Sequence, residues 1–320
     1  MNERAPRSHL EHLLREGTFV VTAEVGPSKG PNLGLIRKKS GYVKGNVDAA
    51  YITDNQSAVV RMSPVVSAGV LKECGVEPVV QLTCRDRNRM ALQSEMLAMA
   101  GLGITNLLCL TGDHQSLGNH PMARGVFDLD SISFIGLARR FADESRFFNG
   151  EEFKGVAPMF IGGAANPFAP PLFARIIRLK KKIANGVDYV NTQAIFDLSI
   201  FDTWMDAVRA AGMHEKAHIL AGIVPAKSAR ALRFMKQSVS GLLIPDELIT
   251  RMEQAKAPED EGINIAVELI HELQGREGIA GVHLMPVMWE AAIPEICQRD
   301  GLLPRPEMAN PTAQELATAS

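Results

Sequence analysis

Apolar runs of strand length recur along this chain about every 25 to 40 residues, and each is followed by a stretch with helical periodicity. That rhythm leaves few architectures. Parallel strands need a crossover of roughly a dozen residues or more, usually a helix, so the pattern implies a parallel sheet covered by helices. The apolar runs predict strands at 18–25, 47–53, 78–83, 104–110, 155–162, 187–193, 217–223 and 279–285. Helices are predicted at 32–44, 63–74, 88–101, 131–145, 171–185, 199–211, 227–238 and 261–274. Connectors such as Gly75 and Gly186 sit just before strands, where a helix commonly ends in a left-handed residue. Eight strands alternating with eight helices read as an α/β fold, a (β/α)8 TIM barrel in a single domain. A doubly wound open sheet is the rival, but the residues after the first strand, EVGPSKGPNLG, do not match a dinucleotide GxGxxG fingerprint.

The expected division is an N-terminal helical extension over 1–17, a catalytic barrel over 18–300 and a frayed polar C-terminal tail over 301–320. An extra helix and loop, within LLIPDELITRMEQAKAPEDEG, are expected before the last strand. A formal net charge of −2 gives no reason to expect nucleic acid or an anionic membrane. No stretch approaches the roughly 18 apolar residues of a membrane span, and the charged N-terminus lacks the apolar core of a signal peptide, so a cytoplasmic protein is expected. Cys74, Cys84, Cys109 and Cys297 are scattered and contain no CxxC pair, which suggests neither disulfides nor a thiolate metal site.

Four of the apolar runs end on polar residues: Glu24, Thr53 with Asp54, Asp113 and Gln193. In a barrel these ends gather at the carboxyl face, where chemistry is placed. Glu24, just before Gly26-Pro27, is expected to face a partly enclosed cavity and to act as a proton donor, against the plainer reading of a solvated strand-end carboxylate. Asp113, in LTGDH, either meets a heterocycle beside the close backbone approach that Gly112 permits or is a turn residue. Gln193 suits recognition of an amide-like ring edge, and equally a satisfied core amide. In RLKKKIANG most of the cations read as solvated, with one available for a phosphate. His114 and His120 lie on a loop without further regularly spaced ligands, so no metal is expected. GGAANPFAPP reads as a loop of small residues able to lie against a planar ligand.

The segments TAEVGPSKG, YITDN, QLTCRDRN, LTGDH, LKKKIANGVDYVNTQAIFD and HILAGIVPAKS together resemble, in order and spacing, the strand motifs of the flavin-dependent methylenetetrahydrofolate reductase family. The resemblance runs from about residue 18 to 297, and its most specific part is K-x-x-x-G-x-x-x-x-x-T-Q-x-x-F-D from Lys182 to Asp197. It implies a barrel holding FAD at the strands' carboxyl ends and reducing 5,10-methylenetetrahydrofolate to 5-methyltetrahydrofolate. Carried over by position, Glu24 is the acid that assists opening of the folate's five-membered ring, and Asp113 is the carboxylate between flavin and pterin. Thr53, Thr83, Asp113, Ala165, Asn166 and Lys182 fall in flavin-contacting segments, with Lys182 as phosphate partner. Gln193 and Phe234 are the implied substrate contacts.

The chain departs from the family's pattern at several of these places. Gln81 replaces a common His, Thr111 an Arg, Asn166 a Tyr and Trp289 an Arg, and the aromatic-rich motif around the acid is AEVGPSKG. These changes weaken the expectation of direct NAD(P)H oxidation and favour electrons arriving through a partner subunit, in a homo-oligomer or hetero-complex. Two other functions stay open: a pterin-binding methyltransferase barrel acting with a corrinoid protein, and a flavin-free subunit that binds folate or a partner.

Overall fold

A computed structural model describes residues 5–239 and 241–307. Eight parallel strands close into one barrel in sequence order. They are β1 Val20–Val25, β2 Ala49–Ile52, β3 Pro78–Thr83, β4 Asn106–Leu110, β5 Phe160–Ala165, β6 Tyr189–Ala194, β7 His218–Ile223 and β8 Ile279–Leu284. β1 pairs with β8 through Val20↔Gly281 and Thr22↔His283, which closes the ring. Around it lie α1 His9–Arg15, α2 Leu33–Val43, α3 Pro64–Glu73, α4 Arg89–Gly101, α5 Ser131–Glu144, α6 Leu172–Ala184, α7 Leu198–Ala210, α8 Ala229–Ser238, α9 Asp246–Gln254, α10 Pro258–Leu273 and α11 Ile293–Arg299. Among the described residues no helix is long and apolar enough to cross a membrane.

The strands carry apolar residues on both faces because both faces are buried. Outward side chains such as Val21, Ile52, Val80, Leu107, Ile161, Val190 and Ile219 pack against the helix ring in one continuous core. A second cluster fills the barrel's lower interior. It joins Val20, Tyr51, Val79, Leu108, Phe160, Tyr189 and Leu220 to Leu10, Leu13 and Leu14 of α1, which plugs the barrel floor. α1 is fixed there because Ser8 caps its N-terminus and the Glu77 carboxylate accepts from the backbone of His9 (2.8 Å) and Leu10 (2.9 Å).

One expectation is corrected and one helix is added. The fifth strand runs over Phe160–Ala165 rather than 155–162, so the first half of the glycine-rich segment read as a loop is strand. Its small residues have a packing cause: a Cβ at Gly162 would lie 2.3 Å from the Tyr189 ring, which occupies that part of the interior. The helix predicted at 261–274 precedes the last strand as α10, and the helix that follows that strand is the short α11, which the periodicity did not reveal. The inserted helix is present as α9. Of the segment read as a frayed tail, residues 301–307 are described, and Arg305 there grips buried Asp48 at 2.6 and 3.0 Å. Residues 308–320, and 1–4 of the N-terminal extension, lie outside the described residues.

Candidate functional site

At the strands' carboxyl end a cavity of about 290 Å³ opens between the barrel mouth and α6. Inward-pointing residues of five strands line it: Glu24 (β1), Gln81 (β3), Leu108 and Leu110 (β4), Asn191 and Gln193 (β6) and His283 (β8). Strand alternation explains the set on β1, β3, β4 and β6, where each residue is itself an interior core position or lies an even number of residues above one, while His283 follows a register shift between β7 and β8 and sits level with Thr22. A register irregularity between β6 and β7 spans Asn191 to Ala194, and Thr192 accepts there from Gly222 N (2.8 Å). The irregularity brings both Thr192 and Gln193 into the lining.

Glu24 is the only carboxylate in that lining. Gln81 Nε2 donates to its Oε1 (3.0 Å), His283 Nε2 faces the same oxygen at 3.8 Å, and Gln56 Nε2 stands 3.5 Å from Oε2. His283 is buried, its Nδ1 2.9 Å from Thr22 Oγ1, and its ring packs against Tyr51 with centroids 4.4 Å apart. Burial pushes the Tyr51 hydroxyl well above its usual range, so Tyr51 stays protonated and donates to Asn191 Oδ1 (3.3 Å). Asn191 Nδ2 is buried without a partner.

The opposite wall is cationic. Arg175, Arg178 and Lys182 sit three and four residues apart on one face of α6, and all line the cavity. Among the described residues neither arginine forms an ion pair, and Arg175 Nε is a buried donor without a partner. Lys182 is buried and its ammonium donates to Ala164 O (2.5 Å). Burial, then the nearby Arg178 charge, pulls it down to about 8. Unpaired cations beside an alanine-lined strand end fit a phosphate-bearing ligand with a flat ring.

The structure thus brings Glu24, Ala165, Asn166, Lys182 and Gln193 together. Gln193 Oε1 accepts from the adjacent Ala194 N (3.2 Å). Asn166 Oδ1 caps a turn by accepting from Phe168 N (2.9 Å) and Ala169 N (3.2 Å). Four other candidates stand outside the lining. Thr53 is buried, with an unpartnered hydroxyl. Thr83 is held by Asp54 Oδ2, which accepts from its Oγ1 and its N, both at 2.8 Å. Asp113 is exposed just after Gly112 (φ +91°), and its carbonyl accepts from Arg85 (3.1 Å). Phe234 is 65% exposed on α8. His114 is on an exposed loop, where its Nδ1 lies 2.7 Å from Ser116 Oγ. Among the described residues no group of three or more metal-ligating side chains forms.

His283, Asn191, Arg175 and Gln56 carry no site role in the sequence reading, and Gln81 enters it only as a departure. A polar residue two positions before another on an otherwise apolar strand was the available signal for Asn191, since both then share the interior face.

The family model described as methylenetetrahydrofolate reductase matches residues 9–301. A probable methylenetetrahydrofolate reductase (NADPH) of Caenorhabditis elegans is 25% identical over 248 residues, which cover 76% of this chain and 35% of that protein. The chain therefore spans about a third of the length of that relative. The 5,10-methylenetetrahydrofolate reductase of Salmonella typhimurium is 24% identical over 247 residues, 75% of each chain. Among solved structures, a Clostridium thermocellum protein that binds two copies of 5-methyl-5,6,7,8-tetrahydrofolic acid superposes with TM-score 0.67 at 15% identity, covering 92% of this chain and all of that one. That likeness is one of fold.

Proposed function

The chain belongs to the methylenetetrahydrofolate reductase family, and we propose that its barrel reduces 5,10-methylenetetrahydrofolate to 5-methyltetrahydrofolate with FAD held at the cavity. The observation that carries this reading is a lone carboxylate, Glu24, facing three cations across a cavity at the barrel's carboxyl end. When bound, the flavin supplies a hydride to the exocyclic carbon of the substrate. Lys182, with Arg175 and Arg178 beside it, holds the cofactor's phosphates through charge-assisted hydrogen bonds. Glu24 donates a proton to the substrate nitrogen released as the five-membered ring opens, an acid contribution on the order of 10²- to 10⁴-fold. Gln193 recognises the pterin's amide-like edge, and Asp113 meets the outer edge of the bound ring.

The electron source follows from the departures. Asn166 uses its carbonyl oxygen on a local turn, and the Trp289 ring lies against Lys227, whose ammonium is 5.9 Å from its centroid. Asn166 in place of Tyr removes a stacking ring and Trp289 in place of Arg removes a cation at that position, which favours a partner protein over NAD(P)H as donor. The test is a visible spectrum of the purified protein, followed by anaerobic reoxidation of its chemically reduced flavin by methylenetetrahydrofolate. Bleached flavin regaining its 450 nm-region absorbance on adding the folate is the expected result. A colourless protein that takes up no added FAD yet binds 5-methyltetrahydrofolate would replace this reading with a methyltransferase or binding role.

A further inference from the structure

The two oxygens of Glu24 are approached by two carboxamides from different elements. Gln81, on β3 and 5% exposed, donates to Oε1 at 3.0 Å. Gln56, from the turn after β2, reaches Oε2 at 3.5 Å, the outer limit of a hydrogen bond. That turn is unusual. Asn55, Ser57 and Ala58 have φ of +43°, +56° and +56°, three non-glycine residues in the left-handed region within four positions. Such conformations cost on the order of 1–3 kcal/mol each and persist only where the surroundings impose them. Here the surroundings are visible: Asn55 Oδ1 accepts from Arg61 N (2.8 Å), Asn55 Nδ2 donates to Asp86 (3.1 Å), and Arg85 donates to Asn55 O (3.3 Å). The strained backbone is thus tied down at Asn55, immediately before Gln56, and its effect is to aim that amide at the barrel mouth.

We propose that Gln81 and Gln56 form a two-amide clamp whose function is to orient the Glu24 carboxyl and to tune its readiness to give up a proton. The inference rests on the reductase reading, in which Glu24 is the acid. A carboxamide suits a proton donor because it serves both protonation states. Its N–H₂ donates to the carboxylate, and after a half-turn its carbonyl accepts from the carboxylic acid. A Lys or Arg in the same place donates only and would lock the anion. The other charged or titratable groups facing Glu24 are His283 on β8, Tyr51 on β2 and the Arg175, Arg178 and Lys182 cations across the cavity. None of these hydrogen-bonds to the Glu24 carboxylate. Gln81 and Gln56 are positioning residues for Glu24, and Gln81 also lines the cavity.

The deciding measurement is the pH profile of flavin reoxidation by methylenetetrahydrofolate in wild type, Gln81→Met and Gln56→Ala. Removing a donor to the charged form disfavours that form, so the alkaline limb should move upward, further for Gln81→Met than for Gln56→Ala. A limb that stays in place, or moves down, overturns the clamp even if the overall rate falls. A readout independent of cofactor is the protonated-carboxyl infrared band, titrated in wild type and Gln81→Met with Glu24→Gln as blank. The band should persist to higher pH in Gln81→Met, and superimposable titrations would refute the clamp, while melting temperatures check that each variant folds. If Glu24→Gln reduces folate at the wild-type rate, the reductase role of Glu24 fails and the clamp's function with it. If Glu24→Gln is inactive and the profiles coincide, the clamp alone fails.

Discussion

The two ends of the barrel are built from similar residues arranged to opposite purposes. At the floor three arginines have carboxylate partners. Arg7 holds both oxygens of Glu11 at 2.9 Å, Arg139 reaches Asp188 at 2.5 Å, and Arg305 grips Asp48 with two nitrogens. Burial pushes the Glu11 carboxyl up, but the hydrogen bonds and charge of Arg7 outweigh it and hold Glu11 below the usual carboxylate range. At the mouth, among the described residues, Arg175 and Arg178 have no carboxylate, Asn191 keeps a buried amide nitrogen unpaired, and Gln56 is held out by a strained turn. Isolated cations cost stability, so a fold that pairs its arginines with carboxylates at one end and leaves two without them at the other is reserving the second end for an anionic ligand.

That contrast breaks most visibly at Glu24. Glu24→Gln keeps the shape and much of the hydrogen bonding but removes the transferable proton. Flavin reoxidation by methylenetetrahydrofolate should slow by roughly 10²- to 10⁴-fold with the melting temperature nearly unchanged. Stopped-flow traces matching wild type would leave Glu24 a structural role only.

The floor should answer in the reverse sense. Asp48→Ala strips the partner from buried Arg305 and also removes the acceptor of Val21 N (2.7 Å). Breaking a buried pair from one side costs about 3–5 kcal/mol, so urea denaturation should show a loss of that size. Affinity for 5-methyltetrahydrofolate should stay within about twofold. A variant that loses the ligand but not stability would erase the distinction between the two ends.

How far the sequence exposes these ends differs. The apolar rhythm reveals the barrel because strand and helix periods are local properties, and it fails at β5 because Gly162 is set by the Tyr189 ring, a neighbour from another strand. α11 is too short, at seven residues, to build a periodic signal. Strand-end position reveals which face a polar residue lies near, which suffices for Glu24 and Gln193. It does not reveal where the side chain is directed: Thr83 is turned to Asp54, and Asp113, after a glycine of positive φ, is exposed. The clamp on Glu24 was hidden for the same reason, since Gln56, Gln81 and Glu24 meet only when three strands close.

Lys182 sharpens the comparison at the mouth. Lys182→Ala removes a charge-assisted phosphate contact of about 1.5–3 kcal/mol, which corresponds to roughly 10- to 150-fold weaker FAD binding. Because the lysine side chain's only hydrogen bond among the described residues is to Ala164 O, stability should fall far less than in Asp48→Ala. Equilibrium dialysis with FAD alongside a thermal melt separates the two, and unchanged FAD affinity would remove Lys182 from the cofactor site.

The smallest effect is a pH dependence with two opposite signs. Burial and then Arg178 lower the Lys182 ammonium from 10.5 to about 8. Below about 8 it is charged in folded and unfolded chains alike, and the cost of burying that charge is fully present. Between about 8 and 10.5 the unfolded chain binds more protons, so this group's contribution to stability rises with pH. Phosphate binding runs the other way, because the anion needs the ammonium and must take up a proton with it once the free site is neutral. FAD affinity should therefore fall above pH 8, by up to about tenfold per pH unit, while the contribution of Lys182 to unliganded stability improves. Isothermal titration from pH 7 to 9 at constant ionic strength, with Lys182→Met as reference, isolates this residue from the other bases that titrate there. A reference variant with the same slope would assign the pH dependence to another group and leave the cations of α6 without an electrostatic distinction from those at the floor.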